Sequence, residues 1–158
     1  VANPDSHLFM NATDLPLFAY GTLRDREILE GVLGRAVARG DLVDARAIGW
    51  RTVYYPGNLY PALVRADEWT QGLVIAGLNQ RDMARLDAFE GDQYRRGTIG
   101  IEARGGTATA QTYFPAKTID TNAPQWTFET WTMHHRPQTI AAYRSDDFYQ
   151  ITENGRDQ

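Results

Sequence analysis

The chain has 158 residues, of which 42% are hydrophobic and 23% charged, a composition typical of a globular protein that excludes global disorder. A formal net charge of −4 disfavours a nucleic-acid-binding surface, and no apolar stretch is long enough to span a membrane. Cysteine is absent, which excludes disulfides, thiolate nucleophiles and cysteine-based metal sites, and which suits a reducing compartment such as the cytoplasm.

The organisation predicted from the sequence is one domain. Residues 1–14 are a polar lead-in without the basic and apolar regions of a signal peptide, residues 15–150 hold the domain, and residues 151–158 are a polar tail. Lys117 is the single lysine among the basic residues. This preference for arginine suggests a GC-rich bacterial genome.

The first strong elements are a strand and a helix. Residues 17–20 are apolar and end at Gly21, which predicts a short buried strand. Residues 24–33 carry apolar side chains at helical spacing, and Gly34 is a suitable stop. From residue 36 to residue 76, short apolar runs predict several strands separated by turn residues, namely Gly40, Gly49, Pro56, Gly57, Asn58 and Gly72.

The clearest helix is predicted over residues 80–89. Asn79 is a good N-cap, Asp82 follows at the capping-box spacing, and Gly91 suits the position after the helix. Two strands follow, near residues 94–104 and 108–114, with Gly105 and Gly106 as a hairpin turn between them.

The aromatic-rich segment 126–149 is expected to be helical in part, with a break or kink at Pro137. These elements predict an α+β fold with a mostly antiparallel sheet or small β-barrel.

Several kinds of chemistry are excluded by residue type. Serine occurs only as Ser6 and Ser145, neither of them in a nucleophile-elbow setting, so a serine-triad hydrolase is not expected. His134 and His135 are adjacent, and neighbouring side chains point in different directions, so they are poor joint metal ligands. Carboxylates, tyrosines, arginines and backbone groups are left to form a site.

The first candidate stretch is Tyr-Gly-Thr-Leu-Arg at residues 20–24, where an apolar strand runs into a glycine and a helix start. Such a turn exposes backbone N–H groups that can hold a carboxylate or phosphate, and Arg24 could assist or point to solvent. The alternative is an ordinary strand-to-helix turn capped by Thr22 or Asp25.

The second candidate stretch surrounds Glu90 at the end of the predicted helix. The helix macrodipole, the like charge of Asp87 three residues earlier and burial beside Phe89 would each raise the pKa of Glu90. A carboxylate general base working near neutral pH needs such a shift. The alternative is a helix-end glutamate paired with Arg95 or Arg96.

The two stretches form a pattern together. Phe-Ala-Tyr-Gly-Thr-Leu-Arg at residues 18–24 is followed by Leu-Asp-Ala-Phe-Glu-Gly at 86–91 and Tyr-Arg-Arg at 94–96. In this order and spacing, the chain resembles the γ-glutamylcyclotransferase family, including its plant avirulence-induced-gene branch and bacterial relatives. The resemblance covers about residues 17–114.

The resemblance implies a small mixed β-barrel with a few flanking helices, and an enzyme that converts a γ-glutamyl amide to 5-oxoproline plus the free amine. No metal or organic cofactor is implied, and the expected partner is the small γ-glutamyl substrate rather than nucleic acid or membrane. By motif match Glu90 shuttles the proton and Tyr94 lines the cavity. The substrate α-carboxylate is held by backbone amides of the loop formed by Tyr20, Gly21, Thr22 and Leu23.

Two alternatives stay open beside the cyclotransferase. One is a catalytically silent binding module on the same fold, with Trp126 and Trp131 as possible partner contacts. The other is an isomerase or lyase that uses Glu90 and Asp87 as a pair of carboxylates. The sequence does not give the leaving amine or the oligomeric state.

Overall fold

The computed structural model describes residues 15–145, so the predicted lead-in and polar tail lie outside the described residues. Within this part there are five strands: β1 (Leu17–Ala19), β2 (Leu42–Tyr54), β3 (Pro61–Ile75), β4 (Tyr94–Ala103) and β5 (Gly106–Pro115). The α-helices of the same part are α1 (Arg26–Leu33), α2 (Gln80–Glu90), α3 (Phe128–His134) and α4 (Arg136–Ser145).

The strands form a closed barrel in the order β1-β3-β2-β4-β5, which confirms the predicted α+β class with a mixed, mostly antiparallel barrel. β1 closes the barrel because it pairs with β3 on one side and with β5 on the other. The β1–β5 contact is parallel and joins Leu17 to Gln111, whereas the other pairings are antiparallel. The pairing of β1 with β5 is therefore the seam at which the first and last strands close the barrel.

Residues 42–75 form two long strands, so the prediction of several short ones was wrong. Gly49 does not end a strand but lies at a register shift between Ile48 and Trp50, with a φ of +92° that favours glycine. Gly72 lies inside β3, where a Cβ would approach Cε1 of Phe18 to 2.5 Å. Both glycines contribute to the curvature and packing of the barrel. Local turn signals do not distinguish glycines with this role from glycines that end a strand.

Both early helices follow their predicted limits closely. The α-helical part of the first begins at Arg26, after Asp25 as N-cap, and ends at Gly34 in the left-handed conformation. Asn79 and Asp82 form the predicted capping box at the start of α2. α2 ends at Glu90 itself, one residue beyond the predicted range.

The second hairpin and the C-terminal segment differ slightly from expectation. The turn between β4 and β5 is centred on Arg104 and Gly105, both at positive φ, and not on Gly105 and Gly106. This is the geometry of a type I′ turn, and it moves Gly106 into β5. The predicted break falls at His135, just before Pro137, and separates α3 from α4.

The core has two main parts because successive β1 side chains point to opposite faces. Phe18 and Tyr20 pack inside the barrel with apolar residues of the other strands. Leu17 and Ala19 face outward into a cluster with α1, α2 and the C-terminal helices. Trp126 and Trp131 are buried among the residues of this second cluster, so they are core residues and not exposed partner contacts. None of the described helices has the length and apolar character to cross a membrane.

Candidate active site

Glu90 and residues 20–23, here called the glycine loop, line one cavity of about 340 Å³. Tyr94 lines the same cavity, so the structure brings all six site residues predicted from the sequence together. The rest of the lining comes from β1, the start of β3, β5 and two helices, namely Leu17, Phe18, Ala19, Tyr60, Pro61, Phe89, Thr112, Tyr113 and Tyr143.

Barrel closure positions the glycine loop. β1 is held between β3 and β5, and the loop leaves its end beside the first residue of β3, Pro61. A short 3₁₀ turn then forms, in which the N–H of Arg24 donates to the carbonyl of Gly21 at 3.1 Å. Gly21 offers no side chain to cap this turn. The earlier N–H groups of the loop lack partners inside the turn and can serve a ligand at the cavity.

The sequence left open whether the turn after Gly21 is an anion site or an ordinary strand-to-helix turn capped by Thr22 or Asp25, and the structure shows the cap at Asp25. The 3₁₀ turn intervenes, and the N-terminus of α1 is capped by the side chain of Asp25, which accepts from the N–H of Ile28. Arg24 does not line the cavity, because its guanidinium lies 4.5 Å from the ring centroid of Phe128, in a different depression. The backbone of the glycine loop, and neither Arg24 nor the helix terminus, is therefore the candidate anion-binding group.

Glu90 is the last residue of α2 and lines the cavity. Burial raises the pKa of Glu90 to about 8, and the nearby charge of Asp87 adds to the shift. At neutral pH the group is therefore mostly a neutral acid, but it loses its proton within the range in which enzymes work. The expected direction of the shift is confirmed, with burial as its main cause.

Among the salt bridges of residues 15–145, none joins Glu90 to Arg95 or Arg96, the alternative that the sequence left open. Arg96 instead pairs with Asp87, with its Nε 3.1 Å from Oδ1 and its Nη2 3.1 Å from Oδ2. Asp87 also accepts a hydrogen bond of 2.7 Å from the hydroxyl of Tyr113. Arg96 is thus engaged by a neighbouring carboxylate, while Glu90 faces the cavity.

The buried tyrosines of the cavity use their hydroxyl protons within the protein. Tyr20 donates to the backbone carbonyl of Tyr113, and Tyr94 donates to the carbonyl of Pro61. Burial raises the pKa of both groups, so they stay neutral. Tyr94 therefore contributes a ring face and a fixed hydroxyl to the wall, and it is not placed to titrate near neutral pH.

Sequence reasoning missed much of the aromatic wall. Tyr60 precedes β3, Tyr113 lies in β5, and Tyr143 in α4 packs edge to face on Phe89 with centroids 5.3 Å apart. The period-two pattern of a strand could have marked Tyr113 as buried, but not as a neighbour of Glu90. No local sequence pattern marks Tyr143 as a cavity residue, because its position in the wall depends on how α4 packs.

Metal-ligand chemistry was not expected from the sequence. Among residues 15–145 there is no group of three or more acidic or histidine side chains arranged to hold a metal ion. His134 and His135 lie at the junction of α3 and α4, and neither of them lines the cavity.

Comparison with known proteins gives a consistent result. The family described as "Gamma-glutamyl cyclotransferase, AIG2-like" matches residues 17–133. AIG2-like protein A of Arabidopsis thaliana is 28% identical over 132 residues, covering 81% of this chain and 78% of that protein. The plant origin of this relative leaves the bacterial origin inferred from arginine content a prediction.

Two solved structures of Arabidopsis thaliana proteins share the fold. One solution structure has a TM-score of 0.64 and 23% identity, and it covers 92% of this chain and 91% of its own. The other has a TM-score of 0.62 and 27% identity, covering 84% of this chain and 91% of its own.

Proposed function

Because the chain belongs to the gamma-glutamyl cyclotransferase, AIG2-like family, we propose that it cyclises a γ-glutamyl amide or peptide to 5-oxoproline and releases the free amine. The observation that carries the proposal is the shared cavity, in which a carboxyl group with a pKa of about 8 faces the backbone of the glycine loop. The substrate supplies its own nucleophile, its α-amino group, so the reaction needs no cysteine or serine from the protein.

The free energy of proton transfer favours Glu90 as the group that carries the proton. A model α-amino group has a pKa of about 8, and an ordinary glutamate has one of about 4.3. Proton transfer from the substrate ammonium to an ordinary glutamate is therefore uphill by about 5 kcal/mol. The raised pKa of Glu90 makes the same transfer nearly even in free energy.

The bond changes balance without a co-reactant. Glu90 takes a proton from the α-ammonium, and the freed amine attacks the γ-carbonyl carbon to close a five-membered ring. The tetrahedral oxyanion then collapses, and the bond to the leaving nitrogen breaks as Glu90 returns the proton to that nitrogen. The ionised Glu90 takes the extra proton from the ring nitrogen and passes it to the free amine, which leaves as an ammonium ion. The nucleophile and the γ-carbonyl belong to the same molecule, so ring closure is already unimolecular, and the protein adds orientation by holding the glutamyl chain folded.

Substrate orientation is assigned to the glycine loop. Its backbone N–H groups would bind the α-carboxylate, while the rings of Tyr94 and Tyr113 enclose the aliphatic part of the glutamyl group. Barrel closure fixes the loop relative to Glu90, and a nucleophilic attack needs this constant geometry.

The test is to incubate the protein with a panel of γ-glutamyl amides that carry different amines. The amount of 5-oxoproline formed is measured by chromatography. We expect product from at least one member, with kcat/KM highest near pH 8, because the reaction needs an ionised Glu90 and a protonated substrate ammonium and the pKa of each is about 8. Glu90→Gln should fold and bind substrate without turnover.

Glu129→Gln is the matched control, since it makes the same isosteric change at an exposed residue outside the cavity. Wild-type-like turnover by Glu90→Gln would contradict the assignment. Binding of γ-glutamyl ligands without product from any panel member would instead favour the binding module.

A further inference from the structure

Four aromatic rings line the more exposed part of the cavity, and they are called here the aromatic mouth. They are Tyr60 in the turn between β2 and β3, Phe89 in α2, Tyr94 in β4 and Tyr143 in α4. Each is only partly buried, whereas the side chains of the glycine loop are buried. Under the proposed function the glycine loop and Glu90 serve the glutamyl group, so the leaving amine lies against the aromatic mouth.

The tyrosines of the cavity wall have little hydrogen-bonding capacity to offer a leaving amine. The hydroxyl of Tyr60 donates to the side-chain oxygen of Gln93, in the 3₁₀ turn that follows α2. The hydroxyls of Tyr20, Tyr94 and Tyr113 also donate within the protein, as described above. A tyrosine hydroxyl has one proton to donate, so these four present their ring faces to a ligand and no free donor.

Charged partners for the leaving amine are also missing from this wall. Among residues 15–145, Glu90 is the one charged side chain that lines the cavity. Arg24 and Arg51 line a second depression, and Arg95 and Arg96 line a third. A carboxylate on the leaving amine would therefore lose water without gaining a cation, and it would share the cavity with the negative charge of an ionised Glu90.

The arrangement of the rings also disfavours a positively charged leaving amine. A cation needs open space over a ring face, within about 6 Å of its centroid. The rings of the aromatic mouth instead pack on one another: Phe89 and Tyr143 lie edge to face with centroids 5.3 Å apart, and the centroids of Tyr60 and Tyr94 are 6.1 Å apart. The aromatic mouth is therefore an apolar surface and not a cage around an ion.

We propose that the substrate is a γ-glutamyl amide of an uncharged, apolar amine, and that an aryl group on this amine packs against Phe89 and Tyr143 in the aromatic mouth. This inference rests on the proposed function and narrows its substrate class. It disfavours γ-glutamyl peptides, because their leaving amino acid carries a carboxylate. The bond changes are those described above, and the aromatic mouth adds no step to them.

The experiment compares substrates that differ by one group. γ-Glutamylphenethylamide and γ-glutamylphenylalanine share a ring and an amide, and only the second has a carboxylate on the leaving side. We expect kcat/KM for the phenethylamide to be at least about 10-fold higher, because a charge without a partner is costly to bury. It should exceed that of γ-glutamylethylamide, which lacks the ring, by about 10-fold. It should also exceed that of γ-glutamyl-(5-aminopentyl)amide, which carries a second positive charge.

Phe89→Ala should reduce the preference for the phenethylamide over the ethylamide by about 3–10-fold, because one ring of the aromatic mouth is lost. Phe128→Ala is the matched control, since Phe128 is also a partly buried phenylalanine packed on the same outer cluster, but it does not line the cavity. The control should keep the wild-type preference. If Phe89→Ala does not fold, Tyr143→Ala makes the same comparison from α4.

Three results would overturn the inference: equal kcat/KM for the phenethylamide and γ-glutamylphenylalanine, a preference for the aminopentyl amide, or an unchanged ring preference in folded Phe89→Ala. Absence of 5-oxoproline from every compound would count against the proposed function instead. The aromatic mouth would still be tested, because calorimetry gives the affinity of Glu90→Gln for the same four compounds without turnover. The phenethylamide should bind most tightly, and failure to bind it would overturn the inference.

Discussion

Gly21 in the glycine loop lies directly against Pro61 at the start of β3. A Cβ at Gly21 would come within 2.8 Å of Cγ and 3.2 Å of Cδ of the proline ring. Gly21 and Pro61 both line the cavity, together with Glu90 at the end of α2. The absence of a side chain at this position is therefore a requirement of the site geometry.

Gly21→Ala should displace the glycine loop and lower kcat/KM for γ-glutamyl amides by about 10–100-fold. The reason is that a small shift of the loop amides misplaces the substrate relative to Glu90. Steady-state kinetics on purified protein measures the effect. Gly40→Ala is the control, since a Cβ there would meet no atom within 4 Å. Equal kcat/KM in both variants would mean that loop position does not limit the reaction.

The raised pKa of Glu90 should make stability depend on pH. The folded protein keeps the proton up to about pH 8, whereas the unfolded chain releases it near pH 4.5, so folding binds a proton between these values. This group therefore lowers the free energy of unfolding as pH rises through that window, by up to about 1.4 kcal/mol per pH unit.

Glu90→Gln should remove this contribution. Urea denaturation at pH 5, 6.5 and 8 would show a variant that gains stability relative to wild type as the pH increases. Glu129→Gln should follow the wild-type profile. A constant difference between Glu90→Gln and wild type across this range would indicate an ordinary pKa for Glu90.

Asp82 should be important for the stability of α2. Its side chain is 3% exposed, accepts from the N–H of Asn79 at 3.0 Å and pairs with Nη2 of Arg35 at 2.8 Å. Burial alone would raise the pKa of Asp82, but the hydrogen bonds from Arg35 and Asn79 outweigh it and lower the pKa. The stabilisation is thus present above the unfolded pKa and is lost as pH falls through the folded pKa.

Asp82→Asn should lower the free energy of unfolding by about 1–3 kcal/mol at pH 7, because it removes a charged acceptor from two donors. Chemical denaturation measures the loss, which should shrink as the wild-type carboxylate is protonated in acid. The exposed Asp67→Asn should change stability little. A loss that does not change with acid would point to packing and not to charge.

Gly72 should not tolerate a methyl group. A Cβ there would lie 2.5 Å from Cε1 of Phe18 and 2.6 Å from the backbone oxygen of Ala19, and the backbone cannot yield without moving β1. Gly72→Ala should therefore lower the free energy of unfolding by about 1–3 kcal/mol. Gly100→Ala, at a strand glycine with no atom within 4 Å of the added Cβ, is the control in the same denaturation assay. Similar losses of stability in Gly72→Ala and Gly100→Ala would show that β1 can move to accept the methyl group.

Local patterns predicted the parts of the structure that local physics determines. The cap at Asn79 and the stop at Gly34 depend on hydrogen bonds within a few residues, so both could be found in the sequence. The shared cavity of Glu90 and the glycine loop was expected from the order and spacing of motifs in a family resemblance, and not from periodicity.

The features that were missed depend on contacts distant in sequence. Gly72 was predicted to separate two strands. Its contact with Phe18 exists only after β1 and β3 pair, so the sequence alone does not show it. Tyr113 reaches Asp87 across 26 residues, and Tyr143 reaches the cavity only when α4 packs on Phe89. No local signal distinguishes such residues from other buried aromatics.

The seam of the barrel has a consequence for the order in which the protein folds. α2 and its capping box form from neighbouring residues, but β1 meets β5 through Leu17 and Gln111, which are far apart in the sequence. Contacts of such long range are slow to form because a large loop must first be closed. We therefore expect the glycine loop to take its place last, so that an intermediate with the Glu90 helix already formed would still be inactive.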